Sequence, residues 1–192
     1  MADGTLKVGT ITTSSGSGTI TLGQSGETVD MTNGSITLNS DMKNTPGFHA
    51  FLSANMESLS DNTAVKMQCN TERYDVTDVY DNSTNYRFTP GVAGRYFIYG
   101  AVLNTADSNS NMVESEVYIY KNGSSIGKSH FDYTSNYAKI ATPTISIVDD
   151  ANTTDYYELY SGVNTNNSGA WKALADTTQQ RTYFGAYRII GA

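Results

Sequence analysis

The stretch Gly123-Ser124-Ser125-Ile126-Gly127 sets a serine between two glycines in the spacing of a nucleophile elbow, and His130 follows close behind. The chemistry would be acyl transfer: the serine oxygen attacks a carbonyl, a base takes its proton, and backbone N–H groups hold the oxyanion. That geometry needs a sharp strand-to-helix turn. Here the stretch begins on Asn122-Gly123, the strongest short hairpin signal. Ser125 is therefore expected on a strand, and the match is expected to be accidental. His49 stands beside Phe48 in a strand-like run and reads as a structural histidine rather than a general base. Cys69, the one cysteine, has no obvious basic partner and reads as core filling. No catalytic residue is assigned, and the chain is expected not to be an enzyme.

Two stretches could offer oxygens to a hard cation. Asp75, Asp78 and Asp81 recur at every third position, and Asp107-Ser108-Asn109-Ser110-Asn111 begins like a calcium loop. The second lacks the Gly at position six and the Glu at position twelve that such a loop uses. Asp and Asn also build loop turns by bonding their own backbone, which is the favoured reading of both. No cofactor is expected, and a Ca²⁺ site stays open without an assigned ligand. Residues 161–180, long and polar, carry the only tryptophan. Trp171 with Asn164, Asn166 and Asn167 would suit a sugar, the ring stacking on its apolar face while the amides bond its hydroxyls. The alternative is that Trp171 caps a sheet edge.

The elements that must position these groups are strands. Runs of strand-like composition recur about every 10 to 15 residues, at 48–54, 64–69, 85–89, 95–104, 113–121, 139–148, 155–160 and 181–190. Gly, Asn, Asp and Ser separate them, and helical periodicity is absent, although Ala170–Thr178 leaves room for one turn. Such spacing indicates a β-sandwich or jelly roll. Pro90 and Gly91 are expected to end one strand and, with Gly94, to turn the chain into the next.

Residues 1–45 have a different texture. They contain no aromatic residue and repeat a short unit, Gly9-Thr10-Ile11-Thr12, Gly18-Thr19-Ile20-Thr21-Leu22 and Gly34-Ser35-Ile36-Thr37-Leu38. One such unit buries too little to be stable alone. The repeat is either a linker or a strand array completed by other chains, and its alternating Ile and Leu favour the array. Ile11, Ile20, Leu22, Ile36 and Leu38 are its expected docking residues. Pro46 marks the boundary, giving two regions, 1–45 and 46–192.

The bulk composition excludes some partners. A formal charge of −7, without a run of Lys or Arg, argues against nucleic acid and anionic membrane. No apolar run approaches the roughly 20 residues of a membrane helix, so no membrane insertion is expected. The first residues lack the basic and apolar blocks of a secretory signal, so synthesis in a reducing compartment without a standard export route is expected.

Two strands are apolar on both faces. In 95–104, Tyr96, Ile98, Gly100 and Val102 oppose Phe97, Tyr99, Ala101 and Leu103. In 181–190, Phe184, Ala186 and Ile190 oppose Tyr183, Tyr187 and Ile189. An antiparallel sandwich strand covers only one face within a monomer, so the second needs either a loop or a subunit. The subunit is favoured, because tyrosine is enriched where a ring is buried and its hydroxyl keeps a partner. Phe97, Tyr99, Leu103, Tyr183 and Tyr187 are the candidate interface.

From Phe48 onward the motif order resembles the C1q domain, a relative of the tumour necrosis factor jelly roll. Phe48–Ala54 is similar to the family's first strand. Tyr86–Gly100 is similar to its Phe, Pro-Gly turn and Gly-x-Tyr-x-Phe, and Val117–Gly123 to its strand ending in Asn-Gly. Ile145–Tyr160 resembles the paired penultimate strands, with Asp149-Asp150 where Gly-Asp is usual, and Thr182–Ile189 resembles the closing strand. The resemblance implies an all-β, ten-strand jelly-roll sandwich, homotrimeric, preceded here by a short repetitive β-strand stem. It implies an assembly and binding module, some members of which bind Ca²⁺ near the apex. Gly-Thr-Ile-Thr repeats ahead of such a head resemble structural proteins of tailed bacteriophages. Expected partners are other copies of the chain, capsid or tail proteins through residues 1–45, and cell-surface carbohydrate. The expected location is the virion surface, as a capsid decoration, head fibre or tail-fibre tip. The alternative is a C1q-like lectin outside any virion.

Overall fold

Val117 and Ile119 alternate with Tyr118 and Tyr120, and Tyr96 and Ile98 alternate with Phe97 and Tyr99, so each run buries one set of side chains by extending. A computed structural model describes Gly26, Thr28, residues 42–133 and residues 138–190. The expected docking residues Ile11, Ile20, Leu22, Ile36 and Leu38 lie outside the described residues.

Among the described residues there is no α-helix and there are fifteen strand segments. These are β1 (Gly47–Phe51), β2 (Met56–Leu59), β3 (Val65–Lys66), β4 (Thr71–Val76), β5 (Tyr80–Asp81), β6 (Arg87–Phe88), β7 (Gly94–Ala101) and β8 (Asn104–Ala106). They continue with β9 (Met112–Lys121), β10 (Ser124–Asp132), β11 (Ile140–Ala141), β12 (Thr144–Ala151), β13 (Tyr157–Thr165), β14 (Trp171–Ala173) and β15 (Tyr183–Arg188). A five-stranded sheet runs β12-β7-β15-β1-β4, and a six-stranded sheet runs β10-β9-β13-β6-β5 with β3 also on β13. A smaller, four-stranded sheet runs β11-β8-β14-β2. All pairings are antiparallel, the arrangement of a jelly roll.

The core lies between the two large sheets. Phe48 stacks on Tyr80 at 4.4 Å and on Phe88 at 5.0 Å, and meets Phe184 edge-on at 5.1 Å. Tyr96 and Tyr157 extend the cluster through Phe88. Cys69 is fully buried, and burial pushes its thiol up to about 12, so it packs as a small apolar group.

The two expected turns behave differently. Asn122 and Gly123 have φ of 51° and 80°, both positive, as a two-residue hairpin between β9 and β10 requires. Gly91 and Gly94 also take positive φ, at 67° and 155°. Here the chain does more than reverse: β6 belongs to the six-stranded sheet and β7 to the five-stranded one, so the turn crosses the sandwich. The stretch Ile145–Tyr160 needs a similar correction. Its strands β12 and β13 pair with β7 and β9 in opposite sheets, not with each other. Lys121 pins this crossover, binding Asp149 at 2.7 Å and Asp155 at 3.2 Å. Residues 170–178 hold strand β14 followed by a turn in which Gln180 N–H donates to Asp176 O at 2.6 Å.

Candidate functional site

In β7 the backbone alternates Tyr96, Ile98 and Gly100 inward, and Phe97 and Tyr99 outward. In β15 Phe184 and Ala186 point inward, and Tyr183 and Tyr187 outward. The register sets Tyr187 opposite Phe97 and Gly185 opposite Tyr99, so the outward rings form one patch. Phe97 lies 5.5 Å from Tyr187 and 5.7 Å from Tyr99, and Tyr99 lies 6.1 Å from Tyr183. All four are partly exposed on the outer face of the five-stranded sheet, Tyr187 at 36%.

The patch includes residues that sequence reasoning missed. His49 of β1 packs among Tyr74, Tyr99 and Tyr183, with Nδ1 3.1 Å from the Tyr99 hydroxyl. Burial, with help from the Arg73 charge, lowers the His49 pKa, and burial raises that of Tyr99. The ring of Tyr99 lies across Gly185, where an added Cβ would come within 2.4 Å of Cζ. A missing side chain on β15 thus makes room for an aromatic on β7. Strict alternation along Phe48-His49-Ala50 was the available signal for His49.

Leu103 does not join this patch. Strand β7 ends at Ala101, and Val102-Leu103 carry the chain to the small sheet. Leu103 is 2% exposed, its N–H donating to Thr182 Oγ1 and its carbonyl accepting from Leu174 N–H. The in-and-out alternation of β7 stops where the chain changes sheets.

Trp171 is not on a loop surface. It begins β14, has no exposed area, and donates its indole N–H to Ser60 O at 2.8 Å. A buried ring offers no face to a sugar, and because β14 pairs with both β8 and β2, Trp171 fills the core rather than capping a sheet edge. Asn166 and Asn167 are exposed, but they clamp the neighbouring loop: Asn111 N–H donates to Asn166 Oδ1 and Asn167 Nδ2 to Asn109 O, both at 3.0 Å. Asn164 lies apart from them, half-buried on β13 opposite Glu114.

The acidic stretches build turns. Asp75 accepts from Val79 and Tyr80 N–H, and Asp81 from Ser83, Thr84 and Asn85 N–H. The backbone donors, Thr84 foremost, hold the Asp81 carboxyl well below its usual range. In the second stretch the carbonyls of Asp107, Ser108 and Ser110 converge on the Lys139 ammonium, which takes the place a cation would occupy. Ser125 lies on β10 with its hydroxyl directed to Gly127 O at 3.4 Å, and His130 is about 16 Å further along an extended strand. No serine–histidine pair forms.

No family model matches the sequence, and no curated protein matches it. Solved structures are similar to it in fold. Murine APRIL at pH 5.0 gives a TM-score of 0.53 at 10% identity, covering 74% of this chain and 98% of that one. Eiger TNF from S. frugiperda gives 0.54 at 9%, covering 76% and 92%. The globular domain of zebrafish complement 1qA gives 0.51 at 12%, covering 76% and 98%. With the sheet orders above, these likenesses assign the fold: an all-β jelly roll of the C1q and tumour necrosis factor type.

Proposed function

We propose that the chain is a non-enzymatic structural protein of a phage particle surface, a homotrimeric capsid decoration, head fibre or tail-fibre tip that adheres to glycans. The observation that carries the self-association is the outer face of the five-stranded sheet. There Phe97, Tyr99, Tyr183 and Tyr187 form a contiguous aromatic patch without a covering element of their own chain among the described residues. Edge strands β10 and β12 supply an apolar counterpart, with Ile126, Phe131 and Val148 exposed at 42%, 47% and 56%. One surface meeting a different one is a heterologous contact, which closes into a ring when the rotation allows. Three weak sites on such a ring bind a repetitive surface far more tightly than one.

The particle assignment rests on the Gly-Thr-Ile-Thr repeat ahead of the head, with residues 1–45 as the particle-proximal segment and capsid or tail proteins as its partners. Immunogold electron microscopy with antibodies against residues 46–192 tests it. Label over the capsid supports decoration, and label on the tail supports receptor binding. Unlabelled particles would overturn the virion reading and leave a free C1q-like lectin.

A further inference from the structure

The outer face of the six-stranded sheet has a chemistry opposite to that of the aromatic patch. Its cross-strand rows follow from register: Lys128, Tyr118, Tyr160 and Lys66 in one, and Ser125, Tyr120, Glu158, Arg87 and Asp81 in the next. Neither row contains an aliphatic side chain. Tyr120 and Tyr160 stack at 4.1 Å and 25°, and Tyr118 meets Tyr120 edge-on at 6.1 Å. Ion pairs frame the rings. Glu158, 5% exposed, binds Lys66 at 2.6 Å. Glu116 binds Lys128 and accepts from the Tyr118 hydroxyl, while the Lys128 ammonium sits 5.4 Å over the Tyr118 ring. The row passes through Arg87, whose guanidinium lies 4.7 Å over Tyr156, to Asp81 on β5, and no ion pair joins Arg87 to a carboxylate among the described residues. Arg87 also lines an open cleft of about 650 Å³, whose wall carries the carboxylates of Glu72, Asp78 and Asp81 beside Asn82, Ser83 and Thr89, an acidic lining that itself disfavours a polyanion. That volume suits a small ligand, and the lining is polar.

From this placement we infer that the Tyr118-Tyr120-Tyr160 platform and the Arg87 cleft form one binding track for a neutral oligosaccharide. Each part answers a property of such a ligand. Fixed rings offer an apolar plane to the C–H face of a sugar. Guanidinium donors and Asn, Ser and Thr groups at its end bond hydroxyls, which both donate and accept. Internal pairing of Lys66 with Glu158 and Lys128 with Glu116 cancels the charge beside the rings, which disfavours a polyanion. Absence of aliphatic side chains disfavours a dry protein seal, whose core is more apolar. The inference rests on the adhesive reading above and moves the sugar site from buried Trp171 to the opposite sheet.

Affinity electrophoresis of the full chain through gels containing laminarin, mannan, dextran or alginate tests it. At least one neutral polysaccharide should retard the wild type. Tyr120→Ala, Tyr160→Ala and Arg87→Gln should each weaken retardation fivefold or more, while Tyr160→Phe and Arg95→Gln, the latter at the other sheet, leave it within twofold. Sedimentation and near-ultraviolet circular dichroism confirm that each variant is folded, and Arg87→Gln keeps the test sound if an alanine variant is not. No retardation by any neutral polysaccharide, retardation by alginate alone, or retardation indifferent to these residues would overturn the site. Labelled particles without retardation sink the site only, and retardation by a protein absent from particles sinks the location only.

Discussion

Tyr99, Gly185 and His49 make one device. The ring lies over a glycine on the next strand, and its hydroxyl meets an imidazole on the strand beyond. Gly185→Ala puts a methyl where Tyr99 Cζ and Oη stand, within 2.4 and 2.5 Å. Because the clash is with the far end of a side chain, the ring should swing outward while the sheet survives. The expected outcome is a change in melting temperature of a few degrees at most and at least tenfold weaker self-association by sedimentation. Tyr99→Asp should weaken association further, by a few kcal/mol, since it leaves a buried charge without a partner. His49 gives a pH signature. Its folded pKa lies below the ordinary value near 6.5, so the unfolded chain binds the proton more readily. The contribution is fully present above about pH 6.5 and is lost as pH falls through the lowered folded value. Melting temperature should therefore drop between pH 7.5 and 5.5, and His49→Gln should flatten that slope. An equal slope in the variant would show that His49 is not the titrating group.

The hairpin at Asn122-Gly123 was readable because positive φ at two successive residues singles out that dipeptide. Asn122 does more than turn: it donates through Nδ2 to Asp155 Oδ1 at 2.8 Å and accepts from Tyr156 N–H at 3.0 Å, tying the hairpin to the β12–β13 crossover. Gly123→Ala has room for its methyl, 3.7 Å from the Tyr156 hydroxyl, but must hold φ near 80°. It should cost about 1–2 kcal/mol in urea unfolding. Long alternating strands such as β9 were equally plain in the sequence, and so were the two-faced strands β7 and β15. Short ones were not. Trp171–Ala173 is three residues long, too short to show a period, and it lies between the polar runs Asn164–Ser168 and Asp176–Gln180, so the tryptophan read as part of a loop. Leu103 was misplaced because nothing in Ala101-Val102-Leu103 announces that the chain changes sheets. The sequence pattern also cannot say which sheet a strand joins. Hence β12 and β13 looked paired, and the tyrosine rows of the six-stranded sheet, assembled from four strands, stayed unseen.

At the scale of the whole molecule the two large sheets present different outer faces: one carries the aromatic patch, the other tyrosines framed by ion pairs. On the proposed function the first meets other copies of the chain and the second a ligand. Adhesion by avidity, the fate of the aromatic patch and the use of edge strands β10 and β12 all depend on the proposed assembly. Sedimentation equilibrium at micromolar concentration tests this directly. The expected result is a species three times the 20.8 kDa chain mass, shifted toward monomer by Gly185→Ala. A wild-type chain that sediments as a folded monomer would contradict it.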